Sequence, residues 1–313
     1  MNIYIYIIRR LFYAIPILLG VCFVIFFLFN IIFDSPAELL LGKHPTPEQI
    51  ESLNRELGLQ RPWPVQYLDV VKSAFTFDFG RSWASKQEIS QMIKDRLGPT
   101  LSLSVPAFFI STILGIVISL FVAFYRGKMI DRITVIICVI FMSISSLAYI
   151  LFGQWFFAYK LGWFEISGYE YGFPYFLPYI GLPILIWVAL AVGPDVRFYR
   201  TLILDEIYQD YVRTAKAKGL SEKLILFKHV LKNAMIPIIT YVIMQIPFLI
   251  LGALLLESFF SIPGLGGMTI AAANSSDFPV IKAMTIVSAV FLIIFNLFTD
   301  ILYTLVDPRI RLK

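Results

Sequence analysis

Few residues of this 313-residue chain have the types and spacing that catalysis or metal binding requires. The two histidines, His44 and His229, lie far apart in the sequence and have no neighbouring cluster of ligands. The chain contains no G-x-x-x-x-G-K-[ST] phosphate loop, no H-E-x-x-H and no G-x-S-x-G. We therefore predict no catalytic residue, no metal site and no cofactor bound by this chain.

Two carboxylic acids, Glu257 and Asp300, are the candidates for chemistry inside apolar stretches. A charged side chain at the bilayer centre costs ~2.5–3.5 kcal/mol on insertion scales, so each needs a reason. Asp300 follows Asn296 by one helical turn, and we predict a structural pairing with a basic residue near the membrane surface; a transport role is the alternative. Glu257 precedes the Pro/Gly-rich stretch 261–267, which either lines the entrance of a translocation path or simply reverses the chain.

Three serines, Ser143, Ser145 and Ser146, interrupt another apolar stretch. Small hydroxylated residues inside membrane helices usually serve helix packing, and lining a substrate path is the alternative. The two cysteines, Cys22 and Cys138, also lie inside apolar stretches, and we interpret them as packing residues because isolated buried thiols are usually inert. The serines, together with Glu257, are therefore the candidates for a translocation path.

The elements that must position these residues are membrane helices. Apolar residues make up 58% of the chain and charged residues 15%, against about 25% charged in soluble domains. Long apolar runs predict an all-α polytopic protein surrounded by lipid, and the net charge of +5 then reflects topology and does not indicate a nucleic-acid partner. Six spans are predicted, at residues 11–33, 99–125, 130–159, 176–196, 236–260 and 280–306.

Charge predicts the orientation of these spans. Six spans place both termini on one side, and with the N-terminus inside, sixteen of the 26 Lys and Arg residues fall in inside segments. The short outside loops hold only Lys160 and Lys282. Positive residues concentrate in cytoplasmic loops, so we predict that both termini are cytoplasmic.

The polar segment 35–97 separates an N-terminal anchor span, 1–34, from a five-span core, 98–313. Thr46 and Gln49 form a capping box, and a second is predicted from Ser85 to Glu88 before an apolar helix face that starts at Ile89. We predict a small helical cap outside the membrane. It is either a packed loop or a landing surface for an external partner.

The stretch 205–237 is the long polar run in the later half of the chain. It predicts two short helices: the first has acidic residues early and basic residues late, as the helix dipole favours, and it stops at Gly219. Ser221 can cap the second helix. We expect that second helix to bury one face, formed by Leu224, Phe227, Leu231 and Ala234.

The tip of this stretch carries small residues, Ala215, Ala217 and Gly219, which leave one surface bare of bulk. Membrane topology needs only a few positive charges beside the spans and does not need two capped helices. We therefore predict that the stretch is a docking element facing the cytoplasm.

The same stretch resembles the EAA loop of importer-type ABC permeases, in the variant of dipeptide and oligopeptide permeases. The similarity lies in DYVRTAKAKGL at 210–220 and KNAMIP at 232–237. RRL at 9–11, LGLQRP at 57–62, PVQY at 64–67, DFG at 78–80, PGLG at 263–266 and DPRIR at 307–311 extend it over nearly the whole chain, as a B-type subunit. The motif's glutamate is absent, since Glu-Ala-Ala falls on Arg213-Thr214-Ala215.

This resemblance implies a type I ABC importer permease fold in a bacterial or archaeal inner membrane. It implies a second, different permease subunit, two ATPase subunits that bind ATP and Mg²⁺, and an extracytoplasmic solute-binding protein. This chain would then be a non-catalytic subunit, with a coupling loop at 200–236. The residues expected to contact an ATPase are Arg213, Thr214, Ala215, Lys216, Ala217, Lys218, Gly219 and Leu220.

Di- or oligopeptides are the cargo that the resemblance implies, while related permeases carry nickel chelates, glutathione or antimicrobial peptides. Two other classes of protein compete with an ABC permease. An ion-coupled secondary transporter would want ionisable residues near mid-membrane, and we identify none there. If the chain were a membrane scaffold, a pull-down with it would recover neither an ATPase nor a second permease.

Overall fold

The computed structural model describes residues 3–29, 46–56 and 60–306, and these residues are mainly helical. Among these residues, Arg81 and Glu88 form an isolated antiparallel β-bridge. The α-helices are α1 Ile3–Phe27, α2 Pro47–Glu56, α3 Trp63–Thr76, α4 Ile89–Phe124, α5 Met129–Ser143, α6 Ser146–Gly153, α7 Leu177–Ile207, α8 Asp210–Ala217, α9 Glu222–Leu224, α10 Leu231–Leu251, α11 Leu254–Phe259, α12 Leu265–Asn274 and α13 Phe278–Val306. Two π-helical segments, Gln154–Lys160 and Ile225–Val230, extend α6 and join α9 to α10.

The predicted set of six spans is confirmed in outline. Within the described residues, five helical stretches are long and apolar enough to cross a membrane, and α5 with α6 supplies a sixth if that bent pair is one span. Two helices run well beyond their predicted limits. α4 begins ten residues earlier, at Ile89, and α7 continues to Ile207, so that Asp205 and Glu206 lie on α7 and not in the first helix of the polar stretch.

The span predicted at 130–159 is present as a bent pair of helices. α5 and α6 meet at an angle of 89°. Ser145 has an extended backbone there, and its side chain accepts a hydrogen bond from the Ala148 N–H at 3.3 Å, as an N-cap of a new helix does. The hydroxyl therefore starts a second helix where a straight span would have continued.

The span predicted at 236–260 is interrupted as well. α10 ends at Leu251, the next residue, Gly252, has φ +78°, and α11 begins at Leu254. Glycine adopts this left-handed conformation without the steric cost that a side chain would bring. Glu257 consequently lies on the short helix α11 and not at the end of a long span.

Of the two capping boxes predicted in the cap, one forms. Thr46 and Gln49 exchange two hydrogen bonds, at 3.0 and 3.4 Å, which confirms the first capping box. The second box does not form. α4 begins only at Ile89, its N-cap Glu88 makes no side-chain cap, and Lys86 has φ +60°.

The side chain of Asp277, buried before α13, holds this turn in place of the second box. It accepts hydrogen bonds from the Ser82 hydroxyl, from the Trp83 N–H at 3.0 Å and from the Ala84 N–H at 3.3 Å. The indole of Trp83 also packs edge-on against Phe278. A distant carboxylate thus decides the conformation of this turn, which local capping rules do not describe.

Candidate coupling surface and translocation path

The basic loop, defined here as residues 208–230, joins α7 to α10. Its first helix, α8, ends in a Schellman motif: the Gly219 N–H donates to the Lys216 carbonyl at 2.9 Å, and the Leu220 N–H donates to the Ala215 carbonyl at 3.3 Å. Gly219 has φ +78°, which confirms the predicted stop. Ser221 accepts from the Leu224 N–H at 3.4 Å, which confirms the second cap.

Half of the apolar face predicted for the second helix is buried: Leu231 and Ala234 pack against the core, but Leu224 and Phe227 do not. Leu224 and Phe227 are 43% and 59% exposed, whereas Ile225, Leu226 and Val230 are buried. The cause is the π-helical turn over Ile225–Val230, whose wider winding shifts the phase of the side chains relative to an α-helix. Ala234, on α10, is buried as expected.

The basic loop packs on the same apolar cluster as three of the spans. From the loop, the cluster contains Val212, Ala215 and the three buried residues of the π-helical segment. It continues into α4, α7 and α10 through Leu120, Ala123, Tyr199, Ile203, Ile207, Ala234 and Ile238. A displacement of α8 must therefore displace the ends of these helices with it, because close-packed cores resist local deformation.

One of the three small residues at the predicted tip is not exposed. Ala215 is buried in this cluster, so it packs against its own chain. Leu220 is half-buried. The other residues expected to contact an ATPase are exposed, namely Arg213, Thr214, Lys216, Ala217, Lys218 and Gly219. A Cβ added to Gly219 would meet no atom within 4 Å, so that side of the turn is open.

Tyr211 ties α8 to the end of α7. Its hydroxyl donates to Glu206 Oε2 at 2.7 Å. Burial of the phenol, together with this hydrogen bond to Glu206, raises the pKa of Tyr211 to about 12. The hydroxyl thus keeps its proton, and can donate, throughout the physiological pH range.

A bidentate ion pair connects α5 to α7 near the basic loop. Arg200 Nε and Nη2 donate to Asp131 Oδ1 and Oδ2 at 2.7 and 2.9 Å, and the Gly127 N–H donates to Oδ2 at 2.9 Å. Gly193 brings the same two helices close, since an added Cβ would lie 3.1 Å from the Cys138 carbonyl oxygen. Sequence reasoning missed Asp131. The signal that could have identified it is an acidic residue in the first turn of an apolar helix.

The prediction for Asp300 is confirmed. Arg10 Nη2 lies 2.6 Å from Asp300 Oδ2, and this pair joins α1 to α13. Asn296 lies beside it, in a cleft between the same two helices. The side chains are partly exposed, so the pair is a surface link between the first and last spans.

The three serines cluster at the bend between α5 and α6. Ser143 donates to the Val139 carbonyl at 2.8 Å, Ser145 caps α6, and Ser146 lines an open cleft of about 450 Å³. Ser143 and Ser145 are exposed. Their position on an exposed break supports the predicted path more than it supports simple packing.

Glu257 does not line a path in this structure. Its side chain is fully buried and accepts hydrogen bonds from Thr100 Oγ1 at 3.0 Å, from the Gly267 N–H at 2.9 Å and from the Ala253 N–H at 3.3 Å. A Cβ at Gly264 would overlap the carboxylate. Glu257 is therefore the anchor of the segment 261–267, which packs too closely around it to leave an opening.

Asp195 is a further buried acid on an apolar helix, which sequence reasoning missed. It is 6% exposed, about two-thirds of the way along α7, and it hydrogen-bonds with Tyr241 and Gln245 of α10. The predicted span ended at residue 196, which placed Asp195 at a border. Among the described residues, no group of acidic, histidine or cysteine side chains could hold a metal ion.

Comparison with known proteins extends over the whole chain. The family model described as "Binding-protein-dependent transport system inner membrane component" matches residues 115–312, and the model for the N-terminal part of such membrane components matches residues 3–104. The glutathione transport system permease proteins of Salmonella choleraesuis and Shigella flexneri are 32% and 33% identical over 308 residues, which is 98% of this chain and 99% of each relative. The dipeptide transport system permease protein of Alkalihalophilus pseudofirmus is 32% identical over 329 aligned positions, with the same two coverages.

Proposed function

Because the chain belongs to the family of inner-membrane components of binding-protein-dependent transport systems, we propose that its cargo is a di- or oligopeptide. The chain is a peptide-type ABC importer permease subunit with the type I ABC permease fold, and it is a multi-pass inner-membrane protein. Its relatives carry the names of dipeptide and glutathione permeases. Glutathione is itself a modified tripeptide, so short peptide chemistry is common to both names.

The proposed machine contains a second, different permease, two ATPases and an external solute-binding protein. The 313 residues contain no phosphate-binding loop, which supports the placement of ATP and Mg²⁺ on the ATPase subunits. The charge distribution supports an orientation in which both termini and the basic loop face the cytoplasm. The cap then faces outward. Its turn at 80–88, which Asp277 holds against α13, would serve as part of the landing surface for the binding protein.

The proposed coupling role rests on the packing of the basic loop. The basic loop is capped at both helices, exposes its basic tip, and buries its other face in the cluster shared with α4, α7 and α10. An ATPase that moves this tip would move those helices as a body. The pair between Arg200 and Asp131 would pass the motion to α5, and hence to the bend that carries the serines.

The test uses the complex reconstituted in lipid vesicles with its binding protein. Gly219→Val places a β-branched residue at φ +78°, so we expect an inserted protein that loses peptide uptake and peptide-stimulated ATP hydrolysis. Gly162→Val is the matched control, because Gly162 also has a positive φ of +64° with open space around it, outside the basic loop. Normal uptake by the Gly219 variant would show that the loop does not couple.

Cargo is tested in the same vesicles. We expect wild-type uptake of trialanine to exceed uptake of glutathione and of a nickel chelate, each supplied with the cognate binding protein. A preference for either of the latter would replace the peptide proposal while leaving the permease assignment intact.

A further inference from the structure

We propose that the cleft between α6, α7 and α11 is the part of the translocation path that holds the large apolar side chains of a passing peptide. This inference rests on the proposed peptide cargo, and it states which side chains of the peptide the cleft would hold. The path cleft, as we call it, is lined by Ser146, Ile150, Trp187, Leu190, Ala191 and residues 253–256, and its open volume is about 450 Å³.

Both interrupted spans border the path cleft. The first break, at residues 144–145, directly precedes Ser146, and the second, at Gly252, directly precedes the lining segment that starts at Ala253. The first break is open in this chain, since Ile144 is 41% exposed and Ser143 and Ser145 are exposed. Two unrelated stretches of the sequence therefore lose their helical structure at one place.

The first break lies at membrane depth. α5 has 15 residues and is about 22 Å long, which is shorter than the ~30 Å hydrocarbon core of a bilayer. Non-helical backbone at such depth is tolerated where protein or a water-filled cavity covers it, but not against lipid. The exposed break therefore needs either the second permease or water to cover it, and the three hydroxyls beside it favour water.

Two other clefts of the described residues lack this feature. The cleft beside Arg10 and Asp300 lies between α1 and α13, and neither helix breaks there. The cleft beside Phe121 and Phe227 lies between α4 and the basic loop. Lipid can cover the unbroken apolar helices α1 and α13 at no cost in backbone hydrogen bonds, so the first of these clefts needs no aqueous role. The second borders the basic loop, which we place at the cytoplasmic surface.

The lining determines the chemical class of the ligand. Among the described residues, those that line the path cleft include an indole, aliphatic side chains and the Ser146 hydroxyl, and none is charged. Such a surface favours apolar and aromatic groups and disfavours charged ones, which would lose their hydration without a partner. The volume of the path cleft is near the lower end of the range for ligand sites, so the cleft can hold one or two side chains of a peptide. The second permease must then enclose the remainder of the peptide.

Thiol accessibility tests the hydrated cavity. In the full complex in lipid nanodiscs, with Cys22 and Cys138 replaced by alanine, Leu254→Cys is treated with a membrane-impermeant thiol reagent. Phe109→Cys is the matched control, because Phe109 and Leu254 are 58% and 45% exposed, but Phe109 lies in the unbroken part of α4. We expect labelling of Leu254→Cys in at least one nucleotide state, protection by triphenylalanine delivered by the binding protein, and no labelling of Phe109→Cys. Absence of labelling at Leu254→Cys in every nucleotide state would overturn the proposal, since lipid or a partner chain would then cover the cleft.

Selectivity tests the apolar ligand. We expect Trp187→Ala to lower triphenylalanine uptake about tenfold relative to trialanine uptake, with Trp187→Phe restoring most of it. An equal fall for both tripeptides would show that Trp187 only supports the fold, and would overturn the assignment of the ligand. If the wild-type complex imports neither tripeptide, the proposed cargo fails, while thiol labelling still decides whether the cleft is a hydrated path.

Discussion

The two ends of this membrane bundle use buried carboxylates in opposite ways. Near the basic loop, Asp131 binds a guanidinium on a neighbouring helix, that of Arg200. At the other end, Glu257 and Asp277 each accept two backbone N–H groups and one hydroxyl. The first arrangement joins straight helices to one another, whereas the second fixes segments that are not helical.

The difference follows from what each end has to satisfy. Near the basic loop most backbone groups are bonded within helices and caps, so Asp131 accepts one backbone N–H, from Gly127, and uses both oxygens to bind Arg200. Where α10 breaks and the segment 261–267 folds back, backbone N–H groups lose their helical partners and must find others. Ionic links transmit force between helices, and backbone-bound carboxylates create the irregular structure that borders the path cleft.

The largest effect is expected from Glu257→Ala. It removes the acceptor of three buried donors, which should lower the free energy of unfolding by roughly 3–5 kcal/mol. The melting temperature of the detergent-solubilised complex measures this. Glu257→Gln, which keeps one acceptor oxygen, should lose less, and the exposed Glu165→Ala should lose almost nothing. A melting temperature for Glu257→Ala equal to that of Glu165→Ala would remove the contrast between the two ends.

Asp131→Asn tests the ionic end. Loss of the charge should weaken the link to Arg200 by about 1.5–3 kcal/mol, and the number of peptides imported per ATP hydrolysed should fall. The double substitution Asp131→Arg with Arg200→Asp should recover part of that ratio. Glu51→Gln is the control, because Glu51 forms an exposed pair with Arg55 outside the basic loop. An unchanged ratio in Asp131→Asn would mean that α5 follows α7 through packing alone.

The pair of Arg10 and Asp300 should contribute less, because its side chains are 48% and 20% exposed. A double-mutant cycle with Arg10→Gln and Asp300→Asn is expected to give a coupling energy of about 1 kcal/mol or less, decreasing as salt is added. A coupling energy that exceeds that of Asp131 with Arg200 would contradict the ranking by burial.

An effect of similar size is expected from Tyr211→Phe, with a loss of about 1 kcal/mol from one hydrogen bond to Glu206. The raised pKa of Tyr211 also gives a pH dependence of defined sign. The folded protein holds this proton more tightly than the unfolded chain, so its stabilisation is complete below pH ~10 and is lost as the pH rises towards about 12. A phenolate absorbance titration that places this residue near pH 10 would contradict it.

Local signals predicted much of this protein, including the six spans, the capping box at Thr46 and the turn at Gly219. The failures have a common origin. The span at 130–159 was inferred from the length of an apolar run, the box at Ser85 from a local motif and the buried face with Phe227 from helical spacing, so each inference used neighbouring residues alone. In the structure, a side-chain cap, a distant carboxylate and a π-helical turn respectively change these elements.

The sequence by itself determined the membrane class, the number of spans and the family, because apolar run lengths, charge and short motifs are properties of contiguous residues. Only the tertiary structure decided that Ala215 is buried, that Glu257 anchors a folded-back segment and that the breaks before Ser146 and Ala253 share one cleft. Each of these facts depends on residues far apart in the chain. Which buried polar groups find each other is set by helix packing, and no local pattern encodes it.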